Sequence, residues 1–307
     1  MGQPAITCFS VMAFLSAGHL PGEGPYGKQI DRAIEYVLSC QKRDGLFSCL
    51  VPGPTWDIWH TSHAAIYNHG IAGVTLCEVY GMAAPQTNRR VSEAIKRGLA
   101  LAAAIQDRMV SEAVARGGWR YLRPAPKGES DLSSTSWQLM FYRSARNAGF
   151  NVPSERIDRA MRFVIACFDS KENTFHYDPL KVSTTRALNG VGILALTHGG
   201  RFDHEMAWKA GDWILAHPYR DYSYVHDDGR WFHYGLFYTV PAMYMLGGPQ
   251  WQQFFPTTVD TMLRYQNPDG SWAPDGGEVE KFGNTYTTAM VITALNTPNQ
   301  LLPIMQR

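Results

Sequence analysis

Two kinds of apolar pattern alternate along the chain. One is apolar or small on every side, as in Leu188-Asn-Gly-Val-Gly-Ile-Leu-Ala-Leu196 and Ala289-Met-Val-Ile-Thr-Ala-Leu295. The other sets an apolar stripe at helical spacing against a charged face. Ile30, Ala33, Ile34, Val37 and Leu38 stand beside Asp31, Arg32 and Glu35; Ile157, Met161 and Val164 stand beside Glu155, Arg156, Asp158, Arg159 and Arg162. A helix apolar all round is buried, and one with a charged face lies outside.

The first kind opens at Ala5, His60, Asp131, Ser183, His233 and Asn284. Each is followed, after a Gly or Pro break, by one of the second kind: Gly27–Cys40, about Asn88–Ile105, Ser154–Phe168 with Ser154 as cap, His204–Ala216, Phe254–Tyr265, and a short tail helix within Gln300–Gln306. The last four openings lie about 50 residues apart, a period of helical-pair repeats. No alternating strand pattern exceeds four residues. Six pairs with buried first helices and solvated second helices predict an all-α chain, an α/α toroid (α6/α6 barrel) of about six helical hairpins. The pattern fills residues 1–307 as one domain, and Met1-Gly2 lies against the first helix as it would in a chain trimmed from a longer precursor.

Composition narrows the partners. With 45% apolar and 18% charged residues the chain is an ordinary globular one, and a net charge of +1 gives no electrostatic case for nucleic acid or an anionic membrane. Ala5–Ala17 is too short for a membrane span, is interrupted by Thr7 and Ser10, and lacks a basic flank, so it reads as a core helix. The chain reads as soluble; a cytoplasmic setting is favoured, with export open if a targeting segment was removed. Cys8, Cys40, Cys49, Cys77 and Cys167 are scattered, odd in number and never in a CxxC spacing, which reads as free thiols buried on helices.

The helix pairs are joined by Gly-rich aromatic turns. The sharpest is Gln266-Asn-Pro-Asp-Gly-Ser-Trp272; Gln41-Lys-Arg-Asp-Gly-Leu-Phe47 is a copy with Phe for Trp, and Gly117-Gly-Trp119 and Asp228-Gly-Arg-Trp231 are weaker copies. The turn resembles the QW repeat of squalene-hopene and oxidosqualene cyclases, in the terpenoid cyclase and protein prenyltransferase superfamily. The resemblance implies the toroid and a hydrophobic isoprenoid-type ligand in its central cavity. Class II cyclases of that family protonate an alkene with the middle aspartate of a DxDD(T) motif; the matching place here is Asp131-Leu-Ser133-Ser134-Thr135. Ser133 stands where the acid would be, and a serine hydroxyl is too weak for the task. Protein prenyltransferases hold zinc with an Asp-x-Cys pair and a later His, where this chain has Ser133 and Asn284. The resemblance therefore implies a frame without either standard chemistry, with no metal or other cofactor.

In a toroid the inner-helix N-termini open on one end of the central cavity, and helix N-termini favour anionic groups. The candidates that this places there are Asp57, Asp131 and His233 for catalysis, and Trp59, His60, His63, Trp119, Tyr121, Thr135, Arg186, Tyr234 and Tyr286 for ligand contact. Flat aromatic walls with a few polar tips suit a small hydrophobic or anionic ligand. Asp131, Ser183 and Asn284 are equally the expected helix caps. His60 and His63 lie three apart on one helical face, and as a pair they read first as hydrogen-bonding residues. Three functions compete: an isoprenoid-binding or isoprenoid-transforming toroid using an acid other than DxDD; a carbohydrate-active toroid, such as a lyase on acidic polysaccharide, with Arg186 for a uronate carboxylate and His233 or Tyr234 as base; and a non-catalytic scaffold.

Overall fold

The computed structural model describes residues 1–51, 61–108, 113–122, 129–180, 183–200, 205–220 and 231–306. Among these, six helices form an inner ring: α1 (Gln3–Ser16), α3 (Thr61–Val79), α5 (Leu132–Asn147), α7 (Arg186–His198), α9 (Phe232–Leu246) and α11 (Gly283–Leu295). Each packs on the next, and α11 packs back on α1 to close the circle. Outside stand α2 (Gly27–Ser39), α4 (Pro85–Gln106), α6 (Ser154–Ala166), α8 (Glu205–Ala216) and α10 (Gly248–Arg264). The protein is an α/α toroid. Two-residue strands, Phe168–Asp169 and Thr174–Phe175, pair antiparallel in one connecting turn.

The two apolar patterns sort as their chemistry requires. All thirteen residues of α7 are buried, whereas α2 buries only Gly27, Ile30, Ile34 and Val37. Rings meet in the centre of the toroid: Phe9 of α1 lies 5.7 Å from Trp137 of α5, 5.4 Å from Phe237 of α9 and 5.7 Å from Tyr286 of α11, and Trp137 stacks on Phe237 at 5.6 Å. Edge-to-face and stacked pairs at such distances add to the burial of these large side chains. Phe9, Trp137 and Phe237 are almost wholly buried, so this cluster is a closed floor across the ring.

The connecting turns repeat one set of bonds. In the turn after α10, the Trp272 indole N–H donates to the Met262 carbonyl (2.8 Å) and its backbone N–H to Thr288 Oγ1 (3.0 Å). In the turn before α5, the Trp119 indole donates to the Ala102 carbonyl (2.9 Å) and its backbone N–H to Thr135 Oγ1 (2.9 Å). The Gln41 amide donates to the carbonyls of Gly45 (3.1 Å) and Ala94 of α4 (2.8 Å), and the Gln106 amide to those of Gly117 and Arg156 of α6, both at 2.9 Å. Each glutamine thus stitches its own outer helix to the following one.

Helix bounds differ from the sequence expectation where caps decide them. Pro153, not Ser154, is the N-cap residue of α6, and no side chain caps that end. Thr185 rather than Ser183 caps α7, accepting from the Leu188 N–H at 3.1 Å. Phe282, not Asn284, occupies the cap position of α11. α10 begins at Gly248 and carries Pro256 inside it, several residues ahead of the expected Phe254 start. After α11 the chain forms two short 3-10 turns, Thr297–Asn299 and Pro303–Met305, instead of a sixth outer helix. These turns lie under the ring: the Ile304 N–H donates to Glu78 Oε2 (3.2 Å), and His198 Nε2 donates to the Ile304 carbonyl (3.0 Å). Cys8, Cys40, Cys77 and Cys167 are buried thiols; Cys49 lies off the helices and is partly exposed.

Candidate functional site

The end of the ring where the inner helices begin carries the polar chemistry. Asp131 caps α5: its Oδ1 accepts from the Ser134 N–H at 2.7 Å, as a short acidic side chain does at a helix start. Its Oδ2 accepts from Arg120 Nη1 at 2.9 Å, and the carboxylate is fully buried. The same Arg120 Nη1 donates to the Tyr177 hydroxyl, and the guanidinium lies 4.1 Å from the Tyr121 ring centre and 5.2 Å from that of Tyr177. The hydroxyls of Tyr121 and Tyr177 are 3.1 Å apart. The His63 ring stands edge-on to Tyr121 at 4.3 Å and to Tyr67 at 5.2 Å.

A second cluster lies at the start of α9 and in the turn that carries Asp275. His233 Nδ1 is 3.1 Å from Asp275 Oδ1, and Asp275 Oδ2 accepts from the Phe232 N–H at 2.9 Å. Trp231, the residue before α9, has left-handed backbone (φ 74°) and supplies no side-chain cap, so a carboxylate from a distant turn caps that helix. The pair is buried, which removes competing water and fixes the imidazole relative to the carboxylate. Tyr234 reaches the Tyr238 hydroxyl at 3.4 Å.

Burial sets the state of these phenols. It pushes Tyr234 up to about 12, and it raises Tyr67 and Tyr286 well above the usual phenol range. Burial is also the main cause for Tyr177 and Tyr121; the Asp131 charge adds to it and Arg120 opposes it, with a net rise. Burial works against the Arg120 charge, but Asp131 and the two tyrosines outweigh it, and the guanidinium is held more firmly protonated than usual. At neutral pH the site therefore presents protonated phenols beside a fixed cation.

His63, Tyr67, Arg120, Tyr177 and Tyr234 keep solvent-accessible surface, in contrast to the closed aromatic floor of Phe9, Trp137 and Phe237. Of the residues expected from sequence, Asp131, Tyr121 and His63 share the first cluster, His233 and Tyr234 stand at the start of α9, and Tyr286 packs on Phe9 at the floor. Trp119 and Thr135 instead bond to each other in the turn, and the Trp119 ring packs on Tyr142 at 5.4 Å. Arg186 is engaged by the segment after α8, donating to the Pro218 carbonyl at 2.9 Å and lying 3.9 Å over the Tyr219 ring. Asp57, Trp59 and His60 lie outside the described residues, as does Asp228. Sequence reasoning missed Arg120, Tyr67 and Asp275. Arg120 sits between two expected residues, Trp119 and Tyr121, whereas Asp275 lies in a Gly-rich turn with no periodic signal. Among the described residues there is no group of three or more His, Cys, Asp or Glu side chains placed to hold a metal ion, and no helix long and apolar enough to cross a membrane.

No family model and no curated protein matches the sequence. Solved structures do match the fold. An inactive variant of an α-1,6-mannanase from Salegentibacter sp., in complex with α-1,6-mannotriose, superposes with a TM-score of 0.65 at 10% identity, over 95% of this chain and 89% of that one. A type II terpene cyclase from Scytonema, in complex with geranylgeranyl dihydroxybenzoate, gives 0.60 at 12% identity over 97% and 88%. A polysaccharide lyase gives 0.58 at 9% identity over 96% and 89%. The fold is thus shared with both terpenoid-cyclising and carbohydrate-active toroids.

Proposed function

We propose that the protein is a carbohydrate-active toroid that binds an acidic polysaccharide chain at the N-terminal end of its inner ring and cleaves it by β-elimination. The observation that carries this reading is the contrast in access. The accessible side chains are phenols, imidazole and guanidinium, while the apolar rings an isoprenoid would need are packed shut. Sugar rings use such aromatic faces together with hydrogen-bonding tips.

Elimination requires a base to take the proton beside the uronate carboxylate, a cation or donor to steady the resulting negative charge, and an acid to protonate the leaving oxygen. His63, the accessible imidazole beside Tyr121, is the base in this scheme, while the buried His233–Asp275 pair holds the start of α9 in place. Arg120 supplies the cation. The raised phenol of Tyr177 or Tyr234 is protonated at neutral pH and serves as the acid. Both oxygens of Asp131 are engaged, one by Ser134 and one by Arg120, which makes it a poor proton donor and a good anchor for the guanidinium.

Incubation with a panel of uronic-acid polymers, followed by ultraviolet absorbance of the unsaturated product, tests the reading. Turnover that is lost in His63→Ala is the expected result; neither turnover nor binding across the panel removes it. A second reading, isoprenoid transformation, is favoured by the Gln266–Trp272 turn, which resembles the QW repeat. Squalene and linear prenyl diphosphates belong in the same experiment, and their conversion would replace the first reading with the second.

A further inference from the structure

Five of the six grooves on the outside of the ring are covered by an outer helix, and the sixth, between α11 and α1, is not covered by a helix among the described residues. The inner helices record the difference. α7 is buried throughout, whereas α11 keeps a half-exposed stripe of Thr288, Ile292 and Leu295, and α1 keeps one through Ile6, Ser10 and Phe14. The two 3-10 turns that follow α11 lie under the ring and meet this flank at its base end, where Asn296 bonds Ser16 (3.4 Å) and Leu301 approaches Gly18.

The turn beside the groove is shaped for a helix. In two equivalent turns the glutamine amide bonds a carbonyl of the next outer helix, Ala94 or Arg156, and the turn glycine sits against the carbonyl three residues on. A methyl group at Gly45 would fall 2.4 Å from the Arg97 carbonyl oxygen, and one at Gly117 would fall 2.5 Å from that of Arg159. Arginines of the same helices return bonds to the glutamine: Arg97 Nε to Gln41 Oε1 at 3.1 Å, and Arg156 Nη1 to Gln106 Oε1 at 3.3 Å. In the third turn Gln266 bonds Gly270 at 3.0 Å just as Gln41 bonds Gly45, yet nothing described lies closer to a methyl at Gly270 than the Gln266 amide itself, 3.9 Å away. Three residues before each glutamine the contrast recurs: Leu38 packs on the core, and Leu263 is 56% exposed. Six residues before, Glu35 accepts from Thr87 and Arg90 of α4, and Asp260 stands exposed.

We propose that the α11–α1 groove, with the Gln266–Gly270 turn and Leu263, is a docking surface for an amphipathic helix of a partner polypeptide. The helix lays an apolar stripe on Ile292, Leu295 and Leu263. Its backbone carbonyl accepts from Gln266, and its arginine reaches Gln266 Oε1 and Asp260. The occupant's chemistry follows from the two turns whose helix is present, and the surface is separate from the site at the ring's mouth.

The chain's own α4 is the natural probe. A labelled peptide of residues 85–106 is titrated into the full protein and followed by fluorescence polarisation. Saturable binding is expected, weakened about tenfold or more by Leu263→Asp and by Gln266→Ala, the cost of a desolvated charge or a lost hydrogen bond. Replacing the arginine of the probe that matches Arg97 with alanine weakens it likewise. Both protein variants change exposed side chains, and an unchanged circular dichroism spectrum shows that they fold. Absence of saturable binding, or binding indifferent to Leu263→Asp, overturns the proposal. A dimer in sedimentation that Leu263→Asp disperses also overturns it, by assigning the groove to a second copy of this chain.

Discussion

The two ends of the ring are made from the same six helices and solve opposite problems. At the base, Glu78 of α3 is buried with both oxygens occupied: Oε1 accepts from Ser144 (3.0 Å) and Oε2 from the Ile304 N–H, while His198 donates to the Ile304 carbonyl. Leu302, Ile304 and Met305 are buried there, so the end is shut. At the mouth, Asp131 is equally buried and equally satisfied, but its partner Arg120 and the tyrosines around it remain accessible. A buried carboxylate is not by itself a sign of function. What distinguishes the two ends is whether its surroundings can be reached.

The largest expected effect comes from the floor between the two ends. Trp137→Ala removes a fully buried ring that stacks on Phe237 and meets Phe9, and should lower the unfolding free energy by about 3–5 kcal/mol in urea titration. A loss below about 1 kcal/mol would mean that the centre is not packed as described. Next, Arg120→Ala leaves the Asp131 carboxylate buried beside no cation, at a cost of about 3 kcal/mol or more; Asp131→Asn on the same background should recover part of it. Equal stability of the single and double variants would contradict the pairing.

The base should betray itself through pH. Burial pushes Glu78 from 4.5 up to about 7, so its stabilising protonated form is fully present below pH 4.5 and the benefit is lost as pH rises to 7. Glu78→Gln mimics that form and should be more stable than the parent above pH 7, by about 2–3 kcal/mol. Burial lowers His198 and His69 from 6.5 to about 4, which works the other way: their neutral forms stabilise above pH 6.5, and that contribution falls as pH drops towards 4. His198→Gln keeps a donor for the Ile304 carbonyl and should flatten the acid limb of the stability profile; an unchanged limb would show that His198 does not control it. The smallest effect on stability belongs to the mouth. Tyr234→Phe should cost less than about 1 kcal/mol, because the bond of its hydroxyl to Tyr238 is long (3.4 Å), yet it should lower turnover. A variant that loses stability and keeps activity would reverse the comparison.

The ring was legible in the sequence because burial is written as periodicity. An all-apolar block such as that of α7 can only be an inner helix, and the one-sided charges of α2 and α6 can only be outer ones. Asp131 was legible as a cap for the same local reason. His233–Asp275 and Arg120–Tyr177 were not, because partners 42 and 57 residues apart meet only once the ring is closed. Likewise Gln106 belongs to the turn that ends in Trp119, but the segment around the 3-10 turn Ala113–Ala115 separates it from Gly117 and hides the repeat. Trp119 packs into its turn just as Trp272 does, each indole N–H bonding a carbonyl of the preceding outer helix. Arg186 follows from a different cause: the Tyr219 face and two carbonyls offer it a buried partner set in the segment after α8.

The central claim is that ligand binds over the accessible tyrosines at the mouth. The most direct test is a crystal structure of the His63→Ala variant soaked with a uronic-acid oligosaccharide. The account predicts sugar density against Tyr67, Tyr177 and Tyr234, with a carboxylate near Arg120. Density elsewhere on the molecule, or an empty mouth under conditions of saturating binding, would contradict it.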